Sequence, residues 1–172
     1  MASKVSLERA SFGAGCFWGV EKWFKKEFPK LASTSVGYQG GAKDKPTYKE
    51  VCTGKTGHAE VLQVEYDPAV VKFEDLVRFF YRVHDPTTID SQGPDVGSQY
   101  RSAIFYETPE QKAIAEKVTA DVATNAAFKA AFGGRPVVTK IEPAGTYYKA
   151  EDYHQDYLEA NPGGYCTHKV RW

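Results

Sequence analysis

The sequence predicts an α+β fold: a two-layer sandwich with a split βαβ (ferredoxin-like) core, long functional loops and an irregular carboxyl-terminal tail. Two observations predict it. Stretches with strand periodicity alternate with stretches of helical periodicity, and the first six elements run strand, helix, strand, strand, helix, strand. The 172 residues are also 42% hydrophobic, with no internal repeat or linker. We therefore expect a single domain over residues 1–172, with a sheet covered by helices on one face.

The amino-terminal half supplies the first strands and the first helix. Residues 7–14 place apolar side chains on one of two alternating faces, which predicts a strand. A helix is expected to begin at Cys16 or Phe17 and to end before Pro29, because proline interrupts helical hydrogen bonding. Two further strands are predicted at residues 34–38 and 59–66.

The second half continues the alternation. Residues 73–83 carry apolar side chains on one helical face, and residues 102–106 are typical of a strand. Thr108 followed by Pro109 predicts a helix start, with threonine as the cap and proline at the first helical position. The last strand is expected at residues 137–141, and a short helix near residues 151–158 precedes the irregular tail.

Three connections are longer than a minimal domain requires: residues 39–57, residues 85–101 and the tail after Pro143. Long loops without secondary structure are usually functional or disordered. These loops hold ring-bearing side chains that are uncommon in disordered segments, namely Tyr48, Tyr100, His154 and Tyr165. We therefore expect the loops to form a site over one end of the sheet, with plain surface decoration as the alternative.

The charge balance argues against two classes of partner. The chain has 22 basic and 22 acidic residues and no run of like charge, so nothing supports a nucleic-acid or anionic-membrane partner. No segment has the length of a membrane span, and residues 1–10 lack the apolar stretch of a signal peptide. We therefore expect a cytoplasmic protein, and nothing indicates more than a monomer.

Three cysteines are too few for a secreted disulfide scaffold. Cys16, Cys52 and Cys166 are scattered along the sequence, and no Cys-x-x-Cys or Cys/His cluster indicates a metal site. In a reducing compartment this pattern indicates inert buried thiols or redox chemistry by individual cysteines.

Cys16 is predicted to lie where the first strand turns into the first helix. The N–H groups and dipole of a helix amino terminus favour the thiolate form of a cysteine. Gly15 and Gly19 leave the backbone open to a substrate. The alternative is inert packing, the common state of a buried cysteine. Position alone leaves both interpretations open.

Two large aromatic residues follow Cys16 directly. Phe17 has helical partners and suits the core, whereas Trp18 is displaced by about 100° around the helix from that apolar face. Aromatic side chains beside a nucleophile suggest a small apolar pocket for a methyl or thioether group. A single exposed tryptophan is nevertheless common and needs no functional explanation.

Glu60 is the most informative charged residue. The period of two places it on the same side of its strand as Leu62, Val64 and Tyr66. If that side faces the core, burial raises the pKa of the carboxyl, which can then stay protonated near neutrality and donate its proton. Alternatively, Glu60 lies at the start of the strand beside His58, and it reaches solvent or forms an ion pair.

Three polar residues in the long loops are further candidates. Tyr48 and Tyr100 can each supply a phenolic O–H to an oxygen atom, although with 11 tyrosines present either can equally be packing. Asp95, between Pro94 and Val96, is either a turn former or a site carboxylate.

Taken together, these residues belong to a set of motifs that resembles the A-type peptide methionine sulfoxide reductases. The resemblance spans nearly the whole chain in the expected order. It is carried by the segments Gly-Cys-Phe-Trp-Gly at 15–19, Val-Gly-Tyr-Gln-Gly-Gly at 36–41, Pro-Thr-Tyr at 46–48, Gly-His-Ala-Glu at 57–60, His-Asp-Pro-Thr-Thr at 84–88, Gly-Ser-Gln-Tyr-Arg-Ser at 97–102, Pro-Ala-Gly at 143–145 and His-Gln-Asp-Tyr-Leu at 154–158.

The resemblance implies a role for each candidate residue. Cys16 is the attacking thiol, and Glu60 is the acid that protonates the sulfoxide oxygen. Tyr48 and Tyr100 hydrogen-bond that oxygen. The substrate-binding residues are Phe17 and Trp18, which cradle the substrate methyl group, Asp95, which helps to orient the substrate, and His154, which lies in a family motif without a defined role.

The resemblance also implies a second thiol and an external reductant. Reduction of the sulfoxide leaves Cys16 as a sulfenic acid, which Cys166 resolves to a disulfide that thioredoxin or a dithiol reduces. The glycines before Cys166 make that segment pliable. Cys52 is expected to be structural, although a loop thiol can compete. The expected substrate is the S epimer of methionine sulfoxide, free or in proteins, and no metal or bound cofactor is expected.

Two other classes of function remain open from the residues alone. A cysteine hydrolase or acyltransferase would use Cys16 with His58 or His154 as base and would consume no reducing equivalents. A non-enzymatic redox sensor would have Cys16 oxidised directly by peroxide.

Overall fold

A six-stranded mixed sheet forms the centre of the fold. The computed structural model describes residues 4–172, and residues 1–3, which belong to the predicted domain and to the segment inspected for a signal peptide, lie outside the described residues. The strands of this sheet are β1 (Glu8–Ala14), β2 (Ser33–Gln39), β3 (Ala59–Tyr66), β6 (Ser102–Tyr106), β7 (Lys140–Pro143) and β8 (Tyr148–Lys149), and a separate hairpin contains β4 (Ser91–Gln92) and β5 (Asp95–Val96).

The strand order across the sheet is β7-β6-β1-β3-β2-β8. β3 lies between β1 and β2 and is antiparallel to both, and β6 is antiparallel to β1. Only the β6–β7 pair is parallel. The end of β1 therefore lies beside the start of β3, and the residues that follow β1 lie next to the first residues of β3.

The helices are α1 (Phe17–Glu27), α2 (Tyr48–Cys52), α3 (Phe73–Val83), α4 (Pro109–Thr124), α5 (Ala126–Phe132) and α6 (Tyr157–Ala160). The main core joins α1, α3 and α4 to the sheet. Phe12 of β1 packs against Phe24 of α1 and Phe80 of α3, with ring centroids 5.2 and 5.5 Å apart. None of the helices within residues 4–172 has the length and apolar composition needed to cross a bilayer.

The opposite face of the sheet is covered by the segment that follows β7. A smaller core there contains Ala59, Val61, Ala103 and Phe105, with Ala144 and Tyr147 packed on it. Gly37 of β2 permits this close approach, because a Cβ at that position would lie 2.6 Å from the Tyr147 ring. The carboxyl-terminal part of the chain is thus fastened onto the sheet.

Most predicted elements are present at nearly the predicted residues, and the combination of a sheet with helices is confirmed. The predicted cap is also correct, since the Thr108 hydroxyl accepts a hydrogen bond of 3.1 Å from the Gln111 N–H. The last predicted strand is displaced: β7 begins at Lys140, not at residue 137, because the Val138 N–H donates to the Pro86 carbonyl at 2.8 Å, outside the sheet.

The predicted helix at residues 151–158 is divided into a short 3-10 turn at Asp152–His154 and α6. Asp156, with φ of 51°, interrupts it. The Gln155 side chain ties this segment to β2 and to the residues before it, since it bonds the N–H and C=O of Val36 and the C=O of Ala150.

Two of the long loops also contain secondary structure that was not predicted. Thr47 and Glu50 form a reciprocal capping box that starts α2. The loop after residue 85 contains the β4–β5 hairpin and a 3-10 turn at Ser98–Tyr100.

Candidate active site

Cys16 lies at the junction between β1 and α1, as predicted. It occupies the N-cap position of α1, directly after Gly15, whose φ of 90° turns the chain out of the strand. The thiol is partly exposed and free, and it faces the backbone N–H groups of Trp18 and Gly19 in the first turn. Cys16 is therefore a partly exposed residue whose sulfur is adjacent to helix N–H donors.

Opposing effects act on the pKa of the Cys16 thiol. Burial raises the pKa of the thiol, and the nearby Glu60 and Asp95 carboxylates, when ionised, raise it further. The N–H groups of Trp18 and Gly19 lower the pKa, as expected for a helix amino terminus, but their effect is smaller than that of burial. The helix start therefore favours the thiolate, as expected, but burial outweighs this effect in the resting protein.

Glu60 lies near the start of β3, and its side chain faces the helices, on the side of the strand that the period of two predicted. Its side chain is 1% exposed. Oε1 accepts a hydrogen bond of 3.2 Å from the Phe17 N–H, whereas Oε2 has no hydrogen-bond partner among residues 4–172. Burial raises the pKa of the carboxyl to about 8, against the opposing effect of the Phe17 N–H. Glu60 forms no ion pair within the described residues, so the solvent and ion-pair alternatives are wrong.

Tyr48 and Tyr100 approach the same carboxyl from two different loops. Tyr48 is the first residue of α2, and its N–H donates to Glu151 at 3.3 Å. Tyr100 closes the 3-10 turn that precedes β6. Burial raises the pKa of both phenols, and the charge of Glu60, when it is ionised, raises these pKa values further. Both hydroxyls therefore remain protonated and can donate hydrogen bonds.

Asp95 lies in β5 of the short hairpin. The Tyr165 hydroxyl donates to its Oδ1 at 3.1 Å, and Oδ2 is buried with no partner among residues 4–172. Burial raises the pKa of this carboxyl. The hairpin thus brings a carboxylate oxygen, free to accept a hydrogen bond, to the side of the site where the carboxyl-terminal segment lies.

The two aromatic residues after Cys16 have different environments. Phe17 is 1% exposed and packs against Tyr38 and His154, with ring centroids 5.8 and 5.2 Å apart. Trp18 is partly exposed, and its ring stacks on Tyr157 at 3.8 Å with the planes 13° apart. Of the two, Trp18 presents the accessible apolar surface next to the thiol.

His154 is a buried member of this aromatic cluster. Its Nδ1 accepts a hydrogen bond of 3.0 Å from the Trp18 indole N–H, so the ring hydrogen is on Nε2, which has no partner among residues 4–172. Burial lowers the pKa of His154. The ring also packs 4.3 Å from the Tyr48 ring. His154 therefore fixes the orientation of Trp18.

Neither histidine of the hydrolase alternative hydrogen-bonds Cys16. His154 is directed to Trp18, as described above. His58 accepts from the Gly41 N–H at 3.0 Å through Nδ1, and its Nε2 lies 2.7 Å from the Lys43 carbonyl. Both ring nitrogens of His58 are occupied by the backbone of the preceding loop, so this ring stabilises the loop and is not available to Cys16.

Cys166 lies over the first turn of α1. A Cβ at Gly19 would lie 3.0 Å from the Cys166 sulfur and would overlap Nδ1 of His168. Gly19 is therefore required for the carboxyl-terminal segment to approach the helix that begins after Cys16. The Cys166 thiol is free and partly exposed.

Cys52, at the end of α2, lies at the edge of the site. The residue as a whole is exposed, and its sulfur is close to the Tyr48 hydroxyl. Partial burial of that sulfur raises the pKa of the Cys52 thiol. It is thus nearer to the site than its position in a loop indicated.

Sequence reasoning gave no individual role to several residues that shape the site. Tyr157 stacks on Trp18, Tyr165 binds Asp95, and Glu151 accepts hydrogen bonds from the Tyr38 hydroxyl and the Tyr48 N–H. Tyr157 stands three residues after His154 in the recognised motif, which was the available signal. Among residues 4–172, no group of three or more histidine, cysteine or acidic side chains is arranged to hold a metal ion.

Comparison with known proteins agrees with this arrangement. The family model described as peptide methionine sulfoxide reductase matches residues 8–172. The chain belongs to the peptide methionine sulfoxide reductase family. The "Peptide methionine sulfoxide reductase MsrA" of Methanoculleus marisnigri is 53% identical over 166 residues, which cover 96% of this chain and 98% of the relative. The chain is therefore an A-type member of the family and an oxidoreductase.

Solved structures of this family show the same fold. The reduced form of Mxr1 from Saccharomyces cerevisiae matches with a TM-score of 0.88 and 38% identity, covering 100% of this chain and 96% of Mxr1. Mxr1 has also been solved in complex with Trx2, and that structure matches with a TM-score of 0.64 and 25% identity, covering 100% and 95% of the two chains.

Proposed function

We propose that this methionine sulfoxide reductase transfers the sulfoxide oxygen of methionine-S-sulfoxide to Cys16, with Glu60 as the acid. One observation carries the proposal: the hydrogen bond from the Phe17 N–H to Glu60 places a buried, protonated carboxyl beside the residue that follows the thiol. A sulfoxide sulfur becomes electrophilic when its oxygen is protonated or strongly hydrogen-bonded, and this acid can meet that need.

In the first step the substrate methyl group packs on Trp18, with Phe17 behind it, and Asp95 orients the rest of the substrate. The sulfoxide oxygen takes the proton of Glu60 Oε2, the oxygen without a partner among residues 4–172, while Tyr48 and Tyr100 donate hydrogen bonds to it. The Cys16 sulfur attacks the substrate sulfur and forms an S–S bond, and the thiol proton replaces the one that Glu60 has given. The S–O bond of the substrate breaks and its hydroxyl group bonds the Cys16 sulfur, while the S–S bond breaks with its electron pair on the substrate sulfur. Methionine leaves, and Cys16 becomes a sulfenic acid.

The raised pKa of Cys16 is compatible with this order of events. A neutral thiol and a neutral carboxyl avoid two like charges in one buried site. The thiol need lose its proton only when the sulfoxide has accepted one from Glu60. The site therefore couples the two proton transfers and does not store a thiolate.

In the second step Cys166 condenses with the Cys16 sulfenic acid, which forms a disulfide and releases water. The position of Cys166 over Gly19 supports this assignment. We further propose thioredoxin, or a dithiol, as the reductant of this disulfide, supported by the complex of the relative Mxr1 with Trx2. Cys52 has no assigned step.

The strand order β6-β1-β3-β2 and its antiparallel pairings support a split βαβ, ferredoxin-like core within the larger sheet. We also propose that the substrate sulfoxide is free or in proteins, that residues 1–172 form a single domain, and that the protein is cytoplasmic and monomeric. These points rest on the sequence and on family membership.

The proposal is tested by a single turnover without external thiols. Reduced protein is mixed with excess L-methionine-S-sulfoxide, and methionine and lost thiols are counted. We expect about one methionine and two lost thiols per protein molecule. The Cys16→Ser variant is expected to form no methionine, because it lacks the proposed nucleophile.

Four results would contradict the proposal. Absence of methionine from the unmodified protein would exclude the reaction. Turnover by Cys16→Ser would place the nucleophile elsewhere. Equal reduction of the R epimer would exclude the proposed stereochemical preference. Oxidation of Cys16 by peroxide without methionine formation would favour the sensor alternative.

A further inference from the structure

His168 is a buried imidazole beside Cys166 that the proposed first step does not use. Its side chain is 7% exposed, and its Nε2 lies 2.6 Å from the Ala14 carbonyl oxygen at the end of β1. Because a carbonyl oxygen only accepts, Nε2 carries the ring hydrogen. Nδ1 is then the nitrogen with the free lone pair.

His168 Nδ1 and the Cys166 sulfur lie on the same side of Gly19, over the first turn of α1. Nδ1 has no hydrogen-bond partner among residues 4–172. It and the Cys166 sulfur border the same point over Gly19, where a Cβ would meet both of them. Buried polar atoms in native proteins are nearly always paired, so an unpaired acceptor beside a thiol asks for an explanation. The S–H of Cys166, which borders the same point over Gly19, is a donor of matching chemistry.

The protonation state of His168 suits an acceptor. Burial lowers its pKa to about 4, and the positive charge of Arg171 lowers it further, against the effect of the Ala14 carbonyl. His84, another buried imidazole, also lies within electrostatic range. At neutral pH the ring is therefore uncharged, and its lone pair is free to take a proton.

We propose that His168 is the catalytic base of the resolving step, a role that rests on the proposed function. The Cys166 S–H proton moves to Nδ1 as the Cys166 sulfur bonds the Cys16 sulfur. The S–O bond of the sulfenic acid breaks with its electron pair, and the departing hydroxide takes the same proton from Nδ1 and leaves as water. Cys166 is oxidised and the sulfenic acid is reduced, so that no external reactant is needed.

A purely structural role is the competing explanation, because the Nε2 contact with Ala14 also holds the carboxyl-terminal segment in place. His168→Gln separates the two roles, since its amide N–H can replace the Nε2 donor but cannot act as a base. His168→Asn is the second variant and is too short to keep the Ala14 contact. Methionine formation in the same sample shows that the site of each variant is folded.

The experiment follows one turnover with methionine sulfoxide and no external reductant, quenched at intervals with an alkylating agent. Methionine and the Cys16–Cys166 disulfide are measured in each sample by chromatography and peptide mass. For His168→Gln we expect the ratio of the disulfide rate to the methionine rate to fall by about 10²-fold, the lower end of general-base effects. The lost rate should return at alkaline pH, because a thiolate needs no base.

An unchanged ratio in both variants would overturn the inference. So would an equal loss at every pH, because a displaced segment is not rescued by ionising the thiol. Absence of methionine from the unmodified protein is a different outcome, which rejects the proposed function itself.

Discussion

The backbone N–H of Phe17 donates a hydrogen bond of 3.2 Å to Oε1 of Glu60. This bond joins the first residue of α1 to a residue near the start of the central strand β3. Because Cys16 immediately precedes Phe17, the same contact places the buried carboxyl next to the thiol. It occupies one oxygen of Glu60 and leaves the other without a partner among residues 4–172.

Glu60→Gln should lower the rate of methionine formation by about 10²-fold or more, because the amide cannot supply a proton to the sulfoxide oxygen. Single-turnover rates at pH 7 give the comparison. Glu65→Gln, on the same strand but on the opposite face, is the matched control and should retain the rate. An unaffected rate in Glu60→Gln would refute the acid role.

The activity of the unmodified protein should fall as the pH rises through about 8, where Glu60 loses its proton. The acid is functional in its protonated form, and a raised pKa keeps it in that form at neutral pH. The pH dependence of the single-turnover rate gives the measurement. Glu60→Gln should lack this alkaline limb, and a limb that persists in the variant belongs to another group.

Stability should show the same ionisation with a defined sign. The pKa of Glu60 rises from 4.5 to about 8 on folding, so the folded state holds a proton that the unfolded state has lost between these values. Stability from this group is complete below pH 4.5 and disappears as the pH rises through about 8. The melting temperature of Glu60→Gln, relative to that of the unmodified protein, should therefore be higher at pH 9 than at pH 6. A difference in melting temperature that is constant with pH would contradict a raised pKa of the buried Glu60 carboxyl.

Cys166→Ser should form about one methionine per molecule but should not turn over with thioredoxin, because the sulfenic acid has no thiol to resolve it. The measurement is methionine formed per protein molecule, with and without thioredoxin and its reductant. Cys52→Ser is the control and should continue to turn over. Full turnover by Cys166→Ser would require resolution by Cys52 or direct reduction of the sulfenic acid.

Gly19→Ala should slow disulfide formation more than methionine formation, because its Cβ would meet Cys166 and His168 and displace their segment. Gly163→Ala provides the matched control in the same part of the chain, since no atom lies within 4 Å of a Cβ there. Disulfide and methionine are measured in one quenched time course. Equal slowing of both reactions would mean that the substitution damages the helix start and not the approach of the tail.

The positions of Cys16 and Glu60 could be predicted because both follow from local periodicity. A strand followed by a helix places Cys16 at a helix start, and a period of two turns Glu60 towards the core. The pKa of Cys16 could not be predicted in this way. It depends on burial by segments distant in sequence, and burial outweighs the local effect of the helix N–H groups.

Contacts between distant loops were also beyond sequence reasoning. Asp95 meets Tyr165 only because a two-residue hairpin pairing, Ser91–Gln92 with Asp95–Val96, directs the loop towards the tail. His168 carried no periodic signal, and its role depends on the Ala14 carbonyl 154 residues away. The displaced β7 has the same origin, since the Val138 N–H finds its partner in Pro86 and not in a neighbouring strand.

The carboxyl-terminal segment is fastened on both sides of Cys166. His168 holds it to β1, while the Arg171 N–H and the Trp172 indole donate to the carbonyls of Arg82 and Tyr81 in α3. Before Cys166, the Tyr165 hydroxyl donates to Asp95 Oδ1 in β5 at 3.1 Å. The Cys166 thiol thus lies on a short span that is held at both ends. If the proposed disulfide forms, a local movement of this span would close and reopen it, and the rest of the fold would stay in place.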